Sequence, residues 1–180
     1  MPTPPVPPAP PGLRGVVDAD TDGLVTLIGA AYAEHPGCVL DLPGVDADLR
    51  APARTVAERG GVWWVLDAAT GDDRALDATV GCGPVVDGTA ELKRLYVAAP
   101  ARGRGLGSAL VAAVEHHAAT RGAQAVELWS DTRFTAAHRR YTALGYHRTG
   151  EARALHDPSD TTEWRFVRQL PATAAPPTSP

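Results

Sequence analysis

The sequence predicts an α/β fold of the α+β kind: a central mixed, mostly antiparallel sheet of about seven strands with about four helices. Three observations predict it. Short apolar runs separated by turn residues follow one another between residues 62 and 97. Two segments after them, 104–121 and 134–144, repeat apolar residues at helical spacing. A further strand-like run, 125–130, lies between those two segments.

Residues 13–17 are apolar enough for a first strand. Asp18 and Asp20 follow as helix N-caps, since a carboxylate there accepts from the free amides of a first turn. Leu24, Leu27, Ile28 and Ala31 recur at helical spacing, so a helix runs to about Glu34 and stops at His35-Pro36-Gly37. Residues 39–44 read as an open loop. Residues 46–59 read as a second, weaker helix interrupted by Pro52 and ended by Gly60-Gly61. A strand over 62–66, a polar turn at 69–73 and a strand over 76–86 make a hairpin. Asp87-Gly88 is a tight-turn signal before the next strand, 90–97. Three consecutive strands with short turns imply an antiparallel meander.

The period then changes. Leu106, Ala109, Leu110, Ala113, Val114, His117 and Ala118 share one face of a helix closed by Gly122. The strand over 125–130 should lie parallel to that over 90–97, with a right-handed crossover. Phe134, Ala137, Tyr141 and Leu144 form the stripe of another helix, closed by Gly145. Residues 146–154 and 162–168 make a final strand pair.

Residues 1–12 and 171–180 carry eleven of the 17 prolines and no charged side chain. Proline fixes φ and removes the backbone donor, so both segments are expected to be disordered tails around a folded domain at 13–170. The net charge of −4 argues against nucleic acid as a partner, which would call for a basic stripe. Cys38 and Cys82 are the two cysteines, too few and too far apart for a disulfide framework or a metal cluster. No metal-ligand spacing appears. No basic segment followed by an apolar core opens the chain, and no apolar run approaches the roughly 20 residues of a membrane helix. The chain therefore reads as soluble and cytoplasmic, with no membrane partner.

The chemistry is concentrated in Arg102-Gly103-Arg104-Gly105-Leu106-Gly107. A strand ends at Val97, glycines follow, and a helix begins. Such a turn aims several backbone N–H groups outward, and both the amides and the helix dipole favour an anion there. Arg102 and Arg104 add guanidinium groups suited to phosphate. A Walker-type loop would need Gly-Lys-Ser/Thr, and this turn has no lysine. A dinucleotide fingerprint would need glycine where Ser108 stands, and would open a βαβ unit rather than follow a meander.

The run ELKRLYVAAPARGRGLGSALV resembles motif A of the GNAT N-acetyltransferase superfamily, whose Arg/Gln-x-x-Gly-x-Gly/Ala signature is met by Arg102, Gly105 and Gly107. The later segment HRRYTALGYHRTGE resembles that superfamily's helix-Tyr-x-x-x-Gly-Phe/Tyr segment, at the expected spacing. The resemblance implies an acetyl-CoA-dependent N-acetyltransferase acting without a metal. It implies that Arg102, Gly103, Arg104, Gly105, Leu106, Gly107 and Ser108 bind the coenzyme pyrophosphate, and that Leu95, Tyr96 and Val97 pair with the pantetheine arm. It implies that Tyr141 protonates the departing thiolate, beside the alternative that Tyr141 is simply core. Glu91 matches a glutamate that acts as base directly or through water, beside the alternative of a solvent-facing strand end. A homodimer would fit the same family.

The acceptor is expected among the first inter-helix loop, the end of the fifth strand and the last hairpin. Glu34, His35, Trp129, Ser130 and Asp131 are the leading candidates, with Cys38, Asp41, Thr132, Arg133 and Phe134 beside them. Glu34 and Asp131 suit an ammonium group, Arg133 a carboxylate. Asp131 or Thr132 would equally serve as a helix cap. A small-molecule amine is the expected substrate, because nothing suggests a large basic docking surface. The alternative is a non-catalytic acyl-CoA-binding or regulatory module on the same fold.

Overall fold

The structure is a computed structural model that describes residues 9–69 and 74–171. The expected proline-rich tails lie mostly outside those residues, as does most of the expected turn at 69–73. Among the described residues, seven strands form one sheet in the order β1-β2-β3-β4-β5-β7-β6. They are β1 (Leu13–Gly15), β2 (Val62–Asp67), β3 (Leu76–Cys82), β4 (Thr89–Val97), β5 (Ala125–Asp131), β6 (His147–Ala154) and β7 (Thr162–Gln169). Four α-helices accompany them: α1 (Thr21–Ala33), α2 (Pro52–Glu58), α3 (Leu106–Thr120) and α4 (Thr135–Ala143). The expected meander is present: β1 to β4 pair antiparallel in sequence. The expected parallel pair is β4 with β5. The last strand, β7, inserts between β5 and β6 and is antiparallel to both.

Period-two alternation gives the sheet two apolar faces. On one face Ala78, Val80, Cys82, Ala90, Leu92, Val126 and Leu128 pack with Leu110, Val111, Val114 and Ala118 of α3 and with Tyr141 of α4. On the other, Trp63, Val65 and Leu76 pack with Leu24, Leu27 and Ile28 of α1 and with Leu49. Burying each such side chain contributes about 1.5–3 kcal/mol. Thr79 is fully buried among them; its hydroxyl accepts from Trp63 Nε1 at 2.6 Å and donates to the Trp64 carbonyl at 3.1 Å.

Three local expectations change. Asp20 stands at the N-cap of α1, but its carboxylate accepts from the Val17 amide at 2.8 Å and from both terminal nitrogens of Arg14, at 2.8 and 2.9 Å. Asp18 instead caps α2: its Oδ1 accepts from the amides of Ala53 (2.9 Å) and Arg54 (3.2 Å). The helix expected over 46–59 is two pieces, a 3-10 turn at Ala47–Arg50 and then α2, which Pro52 opens rather than interrupts. Proline at the first helical position sacrifices no internal hydrogen bond, because that amide has no partner in the helix. Strand β3 ends at Cys82, and Val86 meets Thr89 in an isolated bridge across the tight turn.

Two tests follow. Asp18→Ala should lower the unfolding free energy by about 1 kcal/mol, read by urea denaturation, with α2 as the element that frays. Asp20 supplies the pH dependence. Burial opposes its charge, but Arg14 and the Val17 amide outweigh burial and hold its carboxyl below the usual range. A depressed folded pKa adds stability above the unfolded value of about 3.9, lost as pH falls through the folded value. Unfolding free energy should therefore drop on acidification below about pH 4, and Asp20→Asn should flatten that part of the curve.

Candidate active site

Strands β4 and β5 pair in parallel at Thr89–Ala125, Ala90–Val126 and Glu91–Glu127, and then part. From Leu92 onward β4 keeps β3 on one side and has an open edge on the other. A cleft of about 620 Å³ opens there, a size typical of small-molecule sites. The far end of β4 also carries a bulge. Lys93 faces Gly81 and Tyr96 faces Thr79, so Arg94 and Leu95 together oppose Val80. Arg94 takes φ +51°, unusual for a side chain other than glycine. The Ala98 amide donates to the Asp77 carbonyl of β3, so the Val97 peptide groups turn to the open edge.

At one end of the cleft lies the turn into α3. Gly103 and Gly105 have φ near +80°, at +77° and +79°, which only glycine adopts without strain. The amides of residues 103–108 donate to no backbone carbonyl among the described residues. Arg102, Gly103, Gly105, Leu106 and Gly107 line the cleft with Leu95, Tyr96 and Val97. Arg104 and Ser108 do not. Arg104 lies 3.9 Å from Asp77, and the Ser108 hydroxyl accepts from Arg140 at 3.0 Å. Arg102 makes a two-pronged pair with Glu34 at 2.8 and 2.7 Å and donates from Nε to the Val97 carbonyl at 3.0 Å. Glu34, expected on the acceptor side, thus touches the turn residue.

The structure also brings Glu34, His35, Cys38, Trp129, Ser130, Asp131 and Phe134 to the cleft. Tyr32, His35, Phe134 and Tyr96 form a chain of ring contacts, and the Tyr32 and Tyr96 hydroxyls lie 3.3 Å apart. Arg153 stacks over Trp129 at 4.3 Å. Arg133 does not face the cleft as a free carboxylate binder. It clamps Asp131 and also donates to the Ser159 carbonyl and the Thr161 hydroxyl. Burial opposes the charge on Asp131, yet the Arg133 side chain and amide hold its carboxyl below the usual range. Ser159 bonds both backbone groups of Val39. Arg133 therefore ties β5, the β6–β7 hairpin and the loop after α1 together. Asp41 builds its own turn, accepting from the amides of Gly44 and Val45 at 3.2 Å each. Thr132 and Asp41 do not line the cleft.

Tyr141 is buried on α4 against Tyr146 and Phe166. Its hydroxyl has no hydrogen-bond partner, and no fully buried side-chain polar atom among the described residues lacks one, so the hydroxyl reaches the cleft it lines. Burial, with Tyr96 nearby, pushes its phenol above the ordinary tyrosine range, so it keeps its proton at neutral pH. Glu91 lies at the point where β4 and β5 part and pairs with Lys93 at 2.8 Å. His138, one turn before Tyr141, has Nε2 3.2 Å from the Ser130 hydroxyl and stacks on Trp164 and Phe166. Burial lowers its pKa below the ordinary histidine value.

Sequence reasoning missed Arg94, Asp46, Asp48 and Tyr32, all of which line the cleft. One signal was readable. In the run from Ala90 to Val97 the apolar alternation of Ala90 and Leu92 meets arginine at 94 and leucine at 95. A charged residue in an apolar slot, followed by the displaced apolar one, marks a bulge.

The comparisons agree with this geometry. Residues 30–146, more than half of the chain, match the Acetyltransferase (GNAT) family. No curated protein matches. Among solved structures, a GNAT-family acetyltransferase from Staphylococcus aureus Mu50 superposes with TM-score 0.72 at 16% identity, covering 88% of this chain and 98% of that one. Phosphinothricin acetyltransferase from Sinorhizobium meliloti, solved in complex with AcCoA, gives 0.67 at 18% identity, covering 92% of each chain. Ribosomal-protein-alanine N-acetyltransferase from Brucella melitensis gives 0.64 at 18% identity, covering 88% and 99%. The motif at the turn, the seven-stranded mixed sheet and the family match agree, and the chain belongs to the GNAT acetyltransferase family.

Proposed function

We propose that this protein transfers the acetyl group of acetyl-CoA to the primary amine of a small molecule, by direct attack within a ternary complex. One observation carries the reading: Gly103, Gly105, Leu106 and Gly107, whose amides have no backbone acceptor, line one cleft with the open edge of β4 and with Tyr141. The donor is supported by the family and by the neighbour solved with AcCoA. The small acceptor is supported by the net charge of −4, which gives no sign of a large basic docking surface.

Acetyl-CoA brings a thioester carbonyl activated toward amines. The amides of Gly103 to Ser108 hold its pyrophosphate, aided by the guanidinium groups of Arg102 and Arg104. Arg102 leaves Glu34 to do so. The edge of Leu95, Tyr96 and Val97 pairs with the pantetheine amides as an added strand would. The Val97 N–H donates to the oxyanion that forms as the amine adds. The new C–N bond forms, the C–S bond breaks, and Tyr141 gives its proton to sulfur. Glu91 takes the proton of the amine, directly or through water, and the Tyr141 phenolate is reprotonated from solvent. Glu34, His35, Trp129, Ser130 and Asp131 surround the acceptor.

Thermal-shift measurements with acetyl-CoA, ATP and NAD test the donor. Acetyl-CoA at a hundred times its Kd should stabilise by about 2.7 kcal/mol. Stabilisation by ATP or NAD alone sinks the reading. Free-thiol release across amino acids, polyamines, aminoglycosides, aromatic amines and peptides then identifies the acceptor. Binding without release with any amine favours a non-catalytic module instead. Tyr141→Phe should lower kcat by about a hundredfold, the usual scale for losing a general acid, while acetyl-CoA affinity stays within twofold. An unchanged kcat leaves Tyr141 with packing alone.

A further inference from the structure

The segment after α1 meets the bulged strand through one arginine. Leu92 and Leu95 pack on the α3 face of the sheet, whereas Tyr96 packs on the α1 face. Strict alternation would send Arg94 to the α3 face with Leu92, into an apolar core that offers it no partner. The extra residue of the bulge, with φ +51° at Arg94, turns it to the opposite face instead. There its guanidinium donates to Asp46 Oδ1 at 2.6 Å, to both oxygens of Asp48, and to the Val45 carbonyl at 3.1 Å. The Arg94 side chain is 14% exposed, and those of Asp46 and Asp48 are 2% and 12%. Asp46 Oδ2 also accepts from the Asp41 amide at 2.9 Å, so the carboxylate that holds Arg94 also closes the loop's own turn.

A non-glycine residue at positive φ persists only where its surroundings over-determine it, and such residues concentrate at functional sites. Here the surroundings are two carboxylates and a carbonyl from the loop that walls the cleft. Val45, Asp46 and Asp48 all line it, and Val45 is a large apolar side chain left 41% exposed. The same bulge lies next to the Val97 edge.

We propose that Arg94 is a positioning residue: through Asp46, Asp48 and the Val45 carbonyl it fixes the acceptor wall of the cleft against the strand that holds the acyl donor. The claim rests on the transferase reading for its kinetic consequence, though not for its structural one. Arg94 acts through its loop partners rather than on the reacting atoms. It sets where the wall stands relative to the bulge, and so which amines reach the thioester.

Three variants test it. Arg94→Gly removes the guanidinium but still permits positive φ, so the bulge survives. Arg94→Lys keeps one charged donor on the same stem and should rescue in part. Asp48→Asn weakens the clamp without leaving Arg94 unpaired, and serves if Arg94→Gly does not fold. In the free protein, amide exchange of residues 41–50 should quicken at least tenfold in Arg94→Gly while β5–β7 stay protected. With acetyl-CoA and the fastest amine of the panel, the amine KM should rise at least tenfold and acetyl-CoA Kd should stay within twofold. Asp48→Asn should move both readouts the same way by less. Unchanged exchange over 41–50 overturns the clamp. An amine KM that moves no more than acetyl-CoA Kd overturns the positioning role. A wild-type protein that releases thiol with no amine counts against the transferase reading, and the exchange measurement then decides the clamp by itself.

Discussion

Strands β4 and β5 are hydrogen-bonded for three residue pairs and then separate, and the rest of the site depends on that parting. A sheet interior has no unpaired backbone to offer, since each strand is satisfied on both sides. Parting the strands exposes an edge of β4 without exposing the core, because Leu92, Leu95 and Val97 still pack toward α3. The same parting leaves Trp129 and Asp131 lining the cleft at the end of β5, with β7 on their other edge. Helix α3 begins beside the open edge because its strand ends there. One departure from regular pairing thus places a backbone edge, a helix N-terminus and a loop wall around one volume.

The loops around that volume are held by arginine pairs as well as by the apolar packing of Leu40, Leu42 and Leu49. Arg133 gathers Asp131, Ser159 and Thr161, and Arg94 gathers Asp46, Asp48 and Val45. Removing one partner from such a pair costs about 3–5 kcal/mol when the remaining charge stays buried, so each arginine fixes geometry strongly. A guanidinium has five donors in a rigid fork, which suits it to joining segments distant in sequence. Arg133 reaches residues 26 and 28 positions away, and Arg94 reaches back 46 and 48.

The parts legible in the sequence are the parts set by local physics. The strands, α3 and the turn at Arg102–Gly107 follow from alternation, helical spacing and glycine; the burial of Tyr141 follows from its apolar stripe, and its candidacy for the site only from the resemblance of its segment to the family's. The misreadings are long-range. Asp18 looks like a cap for the helix beside it, but it caps one that begins more than thirty residues on. Pro52 looks like a break because nothing local says that the residues before it form a separate 3-10 turn. Glu34 looks like a free charge because Arg102 becomes its neighbour only in the fold, and Arg133 because Ser159 and Thr161 do, although Asp131 lies just two residues away. Arg94 is the intermediate case: its disturbance of the alternation is local, while its carboxylates are not.

The strand order has a consequence for how the molecule is made. Strand β7, the last among the described residues, lies between β5 and β6. Until residue 169 is available, β5 has three paired residues on one side and a bare edge on the other, and β6 has no partner. Ser159 and Thr161, which Arg133 needs, arrive with the same hairpin. A chain still emerging from synthesis therefore carries the bare edge of β5, a strand that holds the core residues Val126 and Leu128, and such an edge can join to another chain. Closing the sheet and completing the cleft are the same late event, so truncation near the C-terminus would be felt first as aggregation.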